Sequence, residues 1–442
     1  MDMSAINGKL GTQRTKNYFL QVRNSFIYKF LAIVLSYLSI PLMIKYLGNV
    51  QYGIWSTLLS IMSWISLFDI GIGNGLRNKV SESLAKGEIK KAQLYISTAY
   101  TIIGAISLIL ILFFIFVNNF IPWNIVFNTS VLPESELKGV VNITVVFMLA
   151  YFCLSLINQV FNGLQKTSMV VFNQFLPNLL ALIFIFLLYS YFESSLFKLA
   201  FAYGFSMVIS NFILSLWFYN KNKEFIPKIQ NFNKKYLHVI VSLGFKFFVI
   251  QIAVIVIFTT DKIMITQLFG PEYVTSYDVL FKLFSVITLV HSLLMAPLWP
   301  AYSDAYHRGD LIWIKKTLIN QLKIYILFVM ATIALGFMAK PIIRLWIGKD
   351  IFIDNMLIFA MIIFILISTW SNVFAYFVNA TNKIGVQMGT SVVAIIMNIP
   401  LAYTFVKFLK MEVYGIVLAT CISLSFFAIL GPIQTFKILL GK

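Results

Sequence analysis

Ionisable side chains inside long apolar segments are the residues of this sequence that could do chemistry. Lys29 lies about one turn into the first apolar segment, and Lys246 lies at the start of a later one that also contains Asp261 and Lys262. Lys282 lies in the segment that follows. Because a charge inside a bilayer is costly, such residues usually face a cavity or a partner. The four lysines therefore predict a cationic cavity that binds an anionic substrate. The alternative is that each lysine keeps its aliphatic stem in the lipid and places its ammonium group at the membrane surface.

Two acids are candidates for ion coupling. Asp261 lies well inside its apolar segment, and Asp69 ends another. Neighbouring residues point about 100° apart on a helix, so Asp261 need not pair with Lys262. It could bind a proton or sodium, or pair with a basic residue of another helix. Asp278 and Lys282 have the i,i+4 spacing of a pair on one helix.

A second group of charges could form a cytoplasmic gate. Opposite charges occur at matched positions near the ends of two apolar segments, and a gate of this kind would break and re-form during transport. Ordinary loop charge explains the same pattern equally well. The gate candidates are Arg77, Glu82, Asp304 and Arg308.

The sequence contains no pattern typical of an enzyme site. There is no Walker loop, no HExxH, no GxSxG and no carboxylate–histidine cluster. Cys153 and Cys421 both lie within apolar segments without paired spacing, which indicates free thiols. We therefore expect a protein that is not an enzyme and that holds no cofactor and no metal.

Composition identifies the solvent of most of the chain as lipid. Hydrophobic residues make up 60% and charged residues 11%, whereas about 25% of a typical soluble domain is charged. The net charge of +18 lies mainly in short loops. That distribution follows the positive-inside rule and does not indicate a nucleic-acid partner.

Apolar segments of about 20 residues predict membrane-spanning helices, because backbone groups in lipid must bond within their own segment. The first apolar segment is too long for a signal-peptide core and has no small-residue cleavage site, so we interpret it as a span. The predicted spans are 25–44, 52–70, 94–118, 140–161, 170–190, 197–219, 244–268, 276–298, 317–339, 351–373, 386–406 and 413–436.

Charge and repeats predict the topology. Of the lysines and arginines, 21 lie on one side and 8 on the other, which places both termini in the cytoplasm. The pattern around Ser81 and Gly87 returns 222 residues later at Ser303 and Gly309. We therefore predict an all-α membrane protein of about 12 transmembrane helices, in two six-helix bundles related by a parallel repeat around a central cavity. The predicted parts are a half at 1–219, a cytoplasmic linker at 220–243 and a half at 244–442.

Several motifs resemble a known family. Leu47-Gly48 with Tyr52-Gly53-Ile54-Trp55, then LFDIGIGNGLRNKVSESLAKGE at 67–88, and later FNGLQK and VNATNK, resemble the polysaccharide (O-antigen type) flippases of the MOP exporter superfamily. The resemblance covers nearly the whole chain and is strongest over 40–105.

The resemblance implies a function and its partners. The substrate would be a polyprenyl-diphosphate-linked oligosaccharide, such as an undecaprenyl-diphosphate-linked O-antigen repeat unit. The protein would move it from the cytoplasmic to the periplasmic leaflet of a bacterial inner membrane by alternating access. A cationic cavity would suit the diphosphate, and Lys29, Lys246 and Lys262 fit that picture. Membrane lipid is the expected surrounding, with a polysaccharide polymerase and chain-length machinery as further partners.

Two other functions remain open. The first is an ion-coupled small-molecule antiporter of the same superfamily; the lysines argue against it, because such exporters mostly use acidic sites. The second is a membrane enzyme of glycan assembly. Polymerases of that kind typically carry a large extracytoplasmic loop, whereas the longest predicted outer loop here, 119–139, has about 20 residues.

Overall fold

The structure, a computed structural model, describes residues 3–69, 71–295, 309–349, 351–381 and 383–440, together with Leu298, Tyr302, Ala305 and Tyr306. Side chains are described throughout these ranges except at 3–22, 242–251, 253–258 and the single positions 66, 74 and 85.

Every regular element in the described part of the chain is helical. The α-helices are α1 (Met3–Ser63), α2 (Ile72–Ala85), α3 (Ile89–Val117), α4 (Trp123–Val126), α5 (Glu134–Leu154), α6 (Leu156–Gly163), α7 (Thr167–Tyr191), α8 (Leu196–Lys221), α9 (Lys234–Phe269), α10 (Pro271–Met295), α11 (Leu311–Ile347), α12 (Asn355–Ala380), α13 (Gly385–Lys407) and α14 (Val413–Leu439). Short 3₁₀ turns occupy Trp64–Asp69, Asn118–Phe120, Lys223–Phe225 and Ile229–Asn231.

The helices account for the predicted spans. Among the described residues, ten helical stretches are long and apolar enough to cross a membrane. The first of them, Arg23–Asp69, contains the predicted span 25–44 and the described part of 52–70, and α9 contains the predicted span 244–268. The prediction of an all-α membrane protein is thus confirmed. One span differs in detail, because the predicted helix 140–161 is interrupted at Ser155 between α5 and α6.

The chain divides into two compact units that do not follow the sequence order. The first contains residues 1–48, 62–124 and 130–251, and the second contains 49–61, 125–129 and 252–442. Helix α1 is broken at Gly48, whose φ of 77° is in the left-handed region that favours glycine. The break coincides with a boundary between the units. The proposed division at the 220–243 linker stays a prediction.

The first unit is held together by an apolar core and by buried amides. Its core gathers side chains of α2, α3, α6 and α8, with Ile240 of α9. A Cβ at Gly75 would collide with the Ile240 carbonyl, so glycine permits α2 and α9 to pack closely. Asn173 of α7 donates hydrogen bonds to Asn158 of α6 at 2.8 Å and to Asn211 of α8 at 2.6 Å. Such bonds join helices where lipid offers no competing water.

The second unit contains α10 to α14 and residues 252–269 of α9. Helix α14 packs against α12 and α13, and α12 also packs against α10 and α11. The segment 49–61 of α1 belongs to this unit as well. A Cβ at Gly53 would collide with the Pro271 carbonyl, so this glycine lets the segment lie directly on the start of α10. The consequence is that side chains of 49–61 reach the polar groups of α9 and α10.

Candidate functional site

The candidate site is a network of buried charged and polar side chains in the second unit. Gly270, with a φ of 115°, separates α9 from α10, which begins at the next residue. The chain therefore reverses, and Asp261 and Lys262 of α9 meet Tyr277 and Asp278 of α10. The segment 49–61 lies against the same helices and completes the network.

Lys262 and Asp278 form an ion pair in which the aspartate is buried and the lysine is partly exposed. The Lys262 Nζ lies 2.5 Å from Asp278 Oδ1, and Asp278 is only 2% exposed. Tyr52 donates its hydroxyl to Asp278 Oδ2 at 2.6 Å, and Lys262 also donates to Ser56 Oγ at 2.9 Å. Both charges thus have additional hydrogen bonds, which a buried pair needs to offset its desolvation.

Asp261 belongs to a second chain of hydrogen bonds beside the ion pair. It accepts from the Thr420 hydroxyl at 3.0 Å and from the Tyr277 hydroxyl at 3.2 Å, and it is only 4% exposed. Asn398 donates to Thr420 Oγ1 at 2.9 Å, and Thr260 donates to Asn398 Oδ1 at 3.5 Å. Both of the groups that donate to this carboxylate are neutral hydroxyls.

The two acids therefore differ in what balances their charge. Asp278 has a lysine, whereas no side chain within the described ranges forms a salt bridge with Asp261. A buried negative charge without a cationic partner is costly, which suits this carboxylate to binding a proton or a cation. The oxygens of Asp261, Thr420 and Asn398 are of the type that a hard cation prefers. A group of three or more His, Cys, Asp or Glu able to hold a metal is absent from the part of the chain that the structure describes.

Adjacent residues of α9 have separate partners, as the helical geometry predicts. Lys262 pairs with α10, while Asp261 bonds to Thr420 of α14 and Tyr277. The structure gives Asp278 an ion-pair partner on α9, 16 residues away, in addition to the i,i+4 neighbour that the sequence indicated. Lys282, one turn along α10, is a second positive charge that interacts with Asp278.

The other two lysines lie apart from this network. Lys29 is exposed in the first unit and donates to Gln174 Oε1 at 2.9 Å. Lys246 is in α9, and its side chain lies outside the described residues. The structure thus brings together Lys262 and Lys282 of the predicted cationic cavity. A shared cavity that includes Lys29 and Lys246 stays a prediction.

Asp69 has a structural contact at the start of α2. Its carboxylate accepts the Gly73 backbone N–H at 2.9 and 3.1 Å. It therefore satisfies a donor at a helix N-terminus, where a negative charge is also favoured by the helix dipole. Its proposed part in ion coupling stays a prediction.

The predicted cytoplasmic gate is only partly within the described residues. Glu82 bonds to Lys79 at 2.6 Å and Lys86 at 2.7 Å, both near it on the chain. Hydrogen bonds and charges from these lysines lower the pKa of Glu82 to about 2. Arg77 is exposed on the same helix. The remaining gate candidates, Asp304 and Arg308, lie outside the described residues.

Local sequence patterns do not indicate that several residues belong to the network. Tyr52, Ser56, Asn398 and Thr420 are neutral polar residues within apolar spans, a class that usually bonds to its own helix. They are recognised as members of the network only in the structure, where they bond to Asp261, to the ion pair or to each other. Their distance along the chain from Asp261, up to 209 residues for Tyr52, hides the relation from any local pattern.

Comparison with known proteins assigns the chain to a family. Residues 22–306 match the family model described as "Polysaccharide biosynthesis protein". The "Putative O-antigen export protein" of Yersinia pseudotuberculosis is 22% identical over 368 residues, which are 80% of this chain and 82% of that protein. The "Putative O-antigen transporter" of Salmonella typhimurium is 24% identical over 384 residues, 85% of this chain and 86% of that protein.

Solved structures share the fold. A multidrug resistance MATE family transporter of the MOP superfamily, in an inward-facing conformation, has a TM-score of 0.76 at 12% identity, covering 92% of this chain and 95% of that one. The lipid II flippase MurJ has a TM-score of 0.69 at 15% identity, covering 95% and 90%. These likenesses confirm the predicted fold class. Because the family model spans more than half of the sequence, the chain belongs to the polysaccharide biosynthesis protein family, which confirms its resemblance to the O-antigen type flippases of the MOP superfamily.

Proposed function

We propose that this protein is a flippase that moves a polyprenyl-diphosphate-linked oligosaccharide from the cytoplasmic to the periplasmic leaflet by alternating access. The observation that carries the proposal is the ion pair of Lys262 and Asp278 with Lys282 beside it. Family membership and the names of the O-antigen relatives support the substrate class. The positive-inside charge pattern supports cytoplasmic termini.

The physical problem that such a protein solves is the head group of its substrate. A diphosphate with attached sugars cannot enter hydrocarbon, because its charges and hydroxyls would lose their water. The lipid tail needs no such help and can stay in the bilayer. A protein surface with buried positive charge would replace the water around the diphosphate while the head group crosses.

Charge balance offers a physical route to ion coupling. Asp261, Lys262, Asp278 and Lys282 sum to zero when all four are charged. They sum to +1 when Asp261 carries a proton or a monovalent cation. A positive charge without a counter-ion is costly in an apolar interior, so an anionic substrate would stabilise this second state. Cation binding at Asp261 and substrate binding near Lys282 would then favour one another.

An ion-coupled small-molecule antiporter is the alternative function. The observation that favours it is the fold likeness to a multidrug transporter, with a TM-score of 0.76. At 12% identity that likeness shows the fold alone. The two lysines of the network and the O-antigen relatives favour the lipid-linked glycan.

The test of the proposal combines genetics with lipid chemistry. Cells lacking the gene should accumulate undecaprenyl-diphosphate-linked oligosaccharide on the cytoplasmic side and lose surface polysaccharide. Asp278→Asn and Lys262→Met should fail to restore the polysaccharide, whereas Lys407→Met, an exposed lysine at the end of α13, should restore it. Normal surface polysaccharide in the deletion strain, with reduced drug tolerance instead, would support the antiporter.

The variant Asp261→Asn tests ion coupling. Asp261→Asn removes the charge and keeps the side-chain size, so flipping by this variant should no longer respond to a proton or sodium gradient. The measurement is flipping in proteoliposomes with and without an imposed gradient. Flipping that stays fully gradient-dependent in Asp261→Asn would remove this residue from the coupling role. A polymerase and chain-length machinery as partners are a further part of the proposal, to be tested by cross-linking in cells.

A further inference from the structure

A cavity of about 250 Å³ lies in the second unit, among α10, α12 and α14. We name it the hydroxyl cavity. Two aromatic side chains, Phe281 and Phe364, contribute to its wall, with ring centroids 6.0 Å apart. Its polar lining consists of Ser285, Thr288, Ser368, Ser371 and Asn372.

The polar lining contains hydroxyls without a partner. The Oγ atoms of Ser368 and Ser371 are buried and make no hydrogen bond to any residue that the structure describes. These two serines and Asn372 follow one another at i, i+3 and i+4, so they share one face of α12. Leaving a buried hydroxyl unpaired is costly. A polar group in the cavity would satisfy these hydroxyls, and the alternative is a bond to a carbonyl of their own helix.

The chemistry of the lining specifies the kind of partner. Its hydroxyls and amide can both donate and accept hydrogen bonds, and none of the described lining residues is charged. The phenylalanines offer apolar faces beside them. A sugar ring presents the matching combination of hydroxyl edges and an apolar face. The volume lies below the 300–1,000 Å³ of typical drug-sized sites, so it fits one ring and not an oligosaccharide.

The cavity lies directly beside the charge network. Phe281 and Ser285, which line it, flank Lys282 on α10, and Ser285 donates its hydroxyl to the Lys282 carbonyl at 2.7 Å. Asp278 of the ion pair is one turn away on the same helix. A diphosphate bound near Lys282 would therefore hold its attached sugar next to the hydroxyl cavity.

We infer that the hydroxyl cavity is a binding subsite for one neutral sugar ring of the lipid-linked substrate, the ring nearest the diphosphate. This inference rests on the proposed function. It assigns recognition of the lipid phosphate to the lysines and recognition of the glycan to α10 and α12. A rival occupant is ordered water, since about 30 Å³ of liquid volume per molecule allows a small cluster.

The experiment compares two probes on the full-length protein in lipid nanodiscs. One probe is undecaprenyl diphosphate, and the other is the same lipid carrying a single glucose, galactose or N-acetylglucosamine. The wild type should bind at least one sugar-bearing probe about tenfold more tightly than the bare lipid. The double variant Ser368→Ala/Ser371→Ala should lose this tenfold difference and keep the affinity for the bare lipid.

A matched control is Ser292→Ala on α10, because the Ser292 hydroxyl is bonded to the Leu289 carbonyl of its own helix at 2.8 Å. This variant should retain the tenfold difference. Removal of the two unpaired hydroxyls should leave folding intact, and the wild-type comparison does not depend on any variant. It therefore tests the inference even if the double variant does not fold.

Each contrary outcome has a distinct meaning. Equal wild-type affinity for all probes would overturn the sugar subsite and leave the proposed function standing. A tenfold difference that persists in the double variant would place the sugar elsewhere and overturn the inference. Failure to bind any of the probes would overturn the proposed function, and the inference with it.

Discussion

Breaking the ion pair of Lys262 and Asp278 from either side should destabilise the protein unequally. The two side chains are joined at 2.5 Å, and Asp278 is nearly inaccessible to solvent. Removing one partner of a buried pair costs roughly 3–5 kcal/mol, because the other charge remains in the interior. The charges and hydrogen bonds that remain around the unpaired partner decide where in that range each variant lies.

The structure predicts the larger loss for Asp278→Asn. This change leaves Lys262 and Lys282 without the carboxylate with which both interact, and asparagine can still accept the Tyr52 hydroxyl. We expect a loss near the upper end of the range, about 4–5 kcal/mol. Lys262→Met leaves Asp278 with Lys282 and with the Tyr52 hydrogen bond, so we expect about 3 kcal/mol.

The measurement is the free energy of unfolding in detergent micelles, by denaturant titration of the purified protein. The double variant Lys262→Met/Asp278→Leu should lose less than the sum of the two single losses, because it leaves neither charge of the pair behind. Lys407→Met serves as the exposed control. A loss below about 1 kcal/mol for Asp278→Asn, or a larger loss for Lys262→Met, would refute this reasoning.

Three further predictions concern single positions. Gly53→Ala should lower the thermal midpoint of unfolding, because its Cβ collides with the Pro271 carbonyl; an unchanged midpoint would contradict the close packing. Asp69→Ala should lower the free energy of unfolding by about 1 kcal/mol, since it removes the acceptor of the Gly73 N–H at the start of α2. Asp69→Asn keeps an acceptor oxygen and should retain most of this stability. The lysines near Glu82 lower its pKa from 4.5 to about 2, so the small stabilisation from this exposed group should be present above pH 4.5 and lost as the pH falls towards 2. Carboxyl NMR of the wild type against Glu82→Gln would detect this titration, and a Glu82 pKa near 4.5 would contradict the two salt bridges.

The sequence was sufficient to predict the helices, because their apolar length is imposed by the bilayer thickness. It also identified the charges of the network, since ionisable residues in a span are rare. It could not identify their partners. The bond between Lys262 and Asp278 depends on the reversal at Gly270, and the bond between Tyr52 and Asp278 depends on tertiary packing. Neither relation produces a local periodicity.

The packing of segment 49–61 also explains why halves of a sequence and units of a structure need not coincide. This segment lies before the 220–243 linker in the sequence. Its residues Tyr52 and Ser56 nevertheless complete the hydrogen bonding of the ion pair that α9 and α10 form. Any motion that withdraws the segment would break these two bonds and the 2.6 Å bond between Thr57 and Thr266. Two bonds to charged groups and one neutral bond amount to roughly 4–7 kcal/mol. The ion pair itself would survive such a motion, because both of its members lie outside the segment. The buried side chains of Ile54, Trp55 and Leu58 add to this cost, so the hydrogen bonds are only part of what holds the segment in place, while the charges of the pair would stay balanced without it.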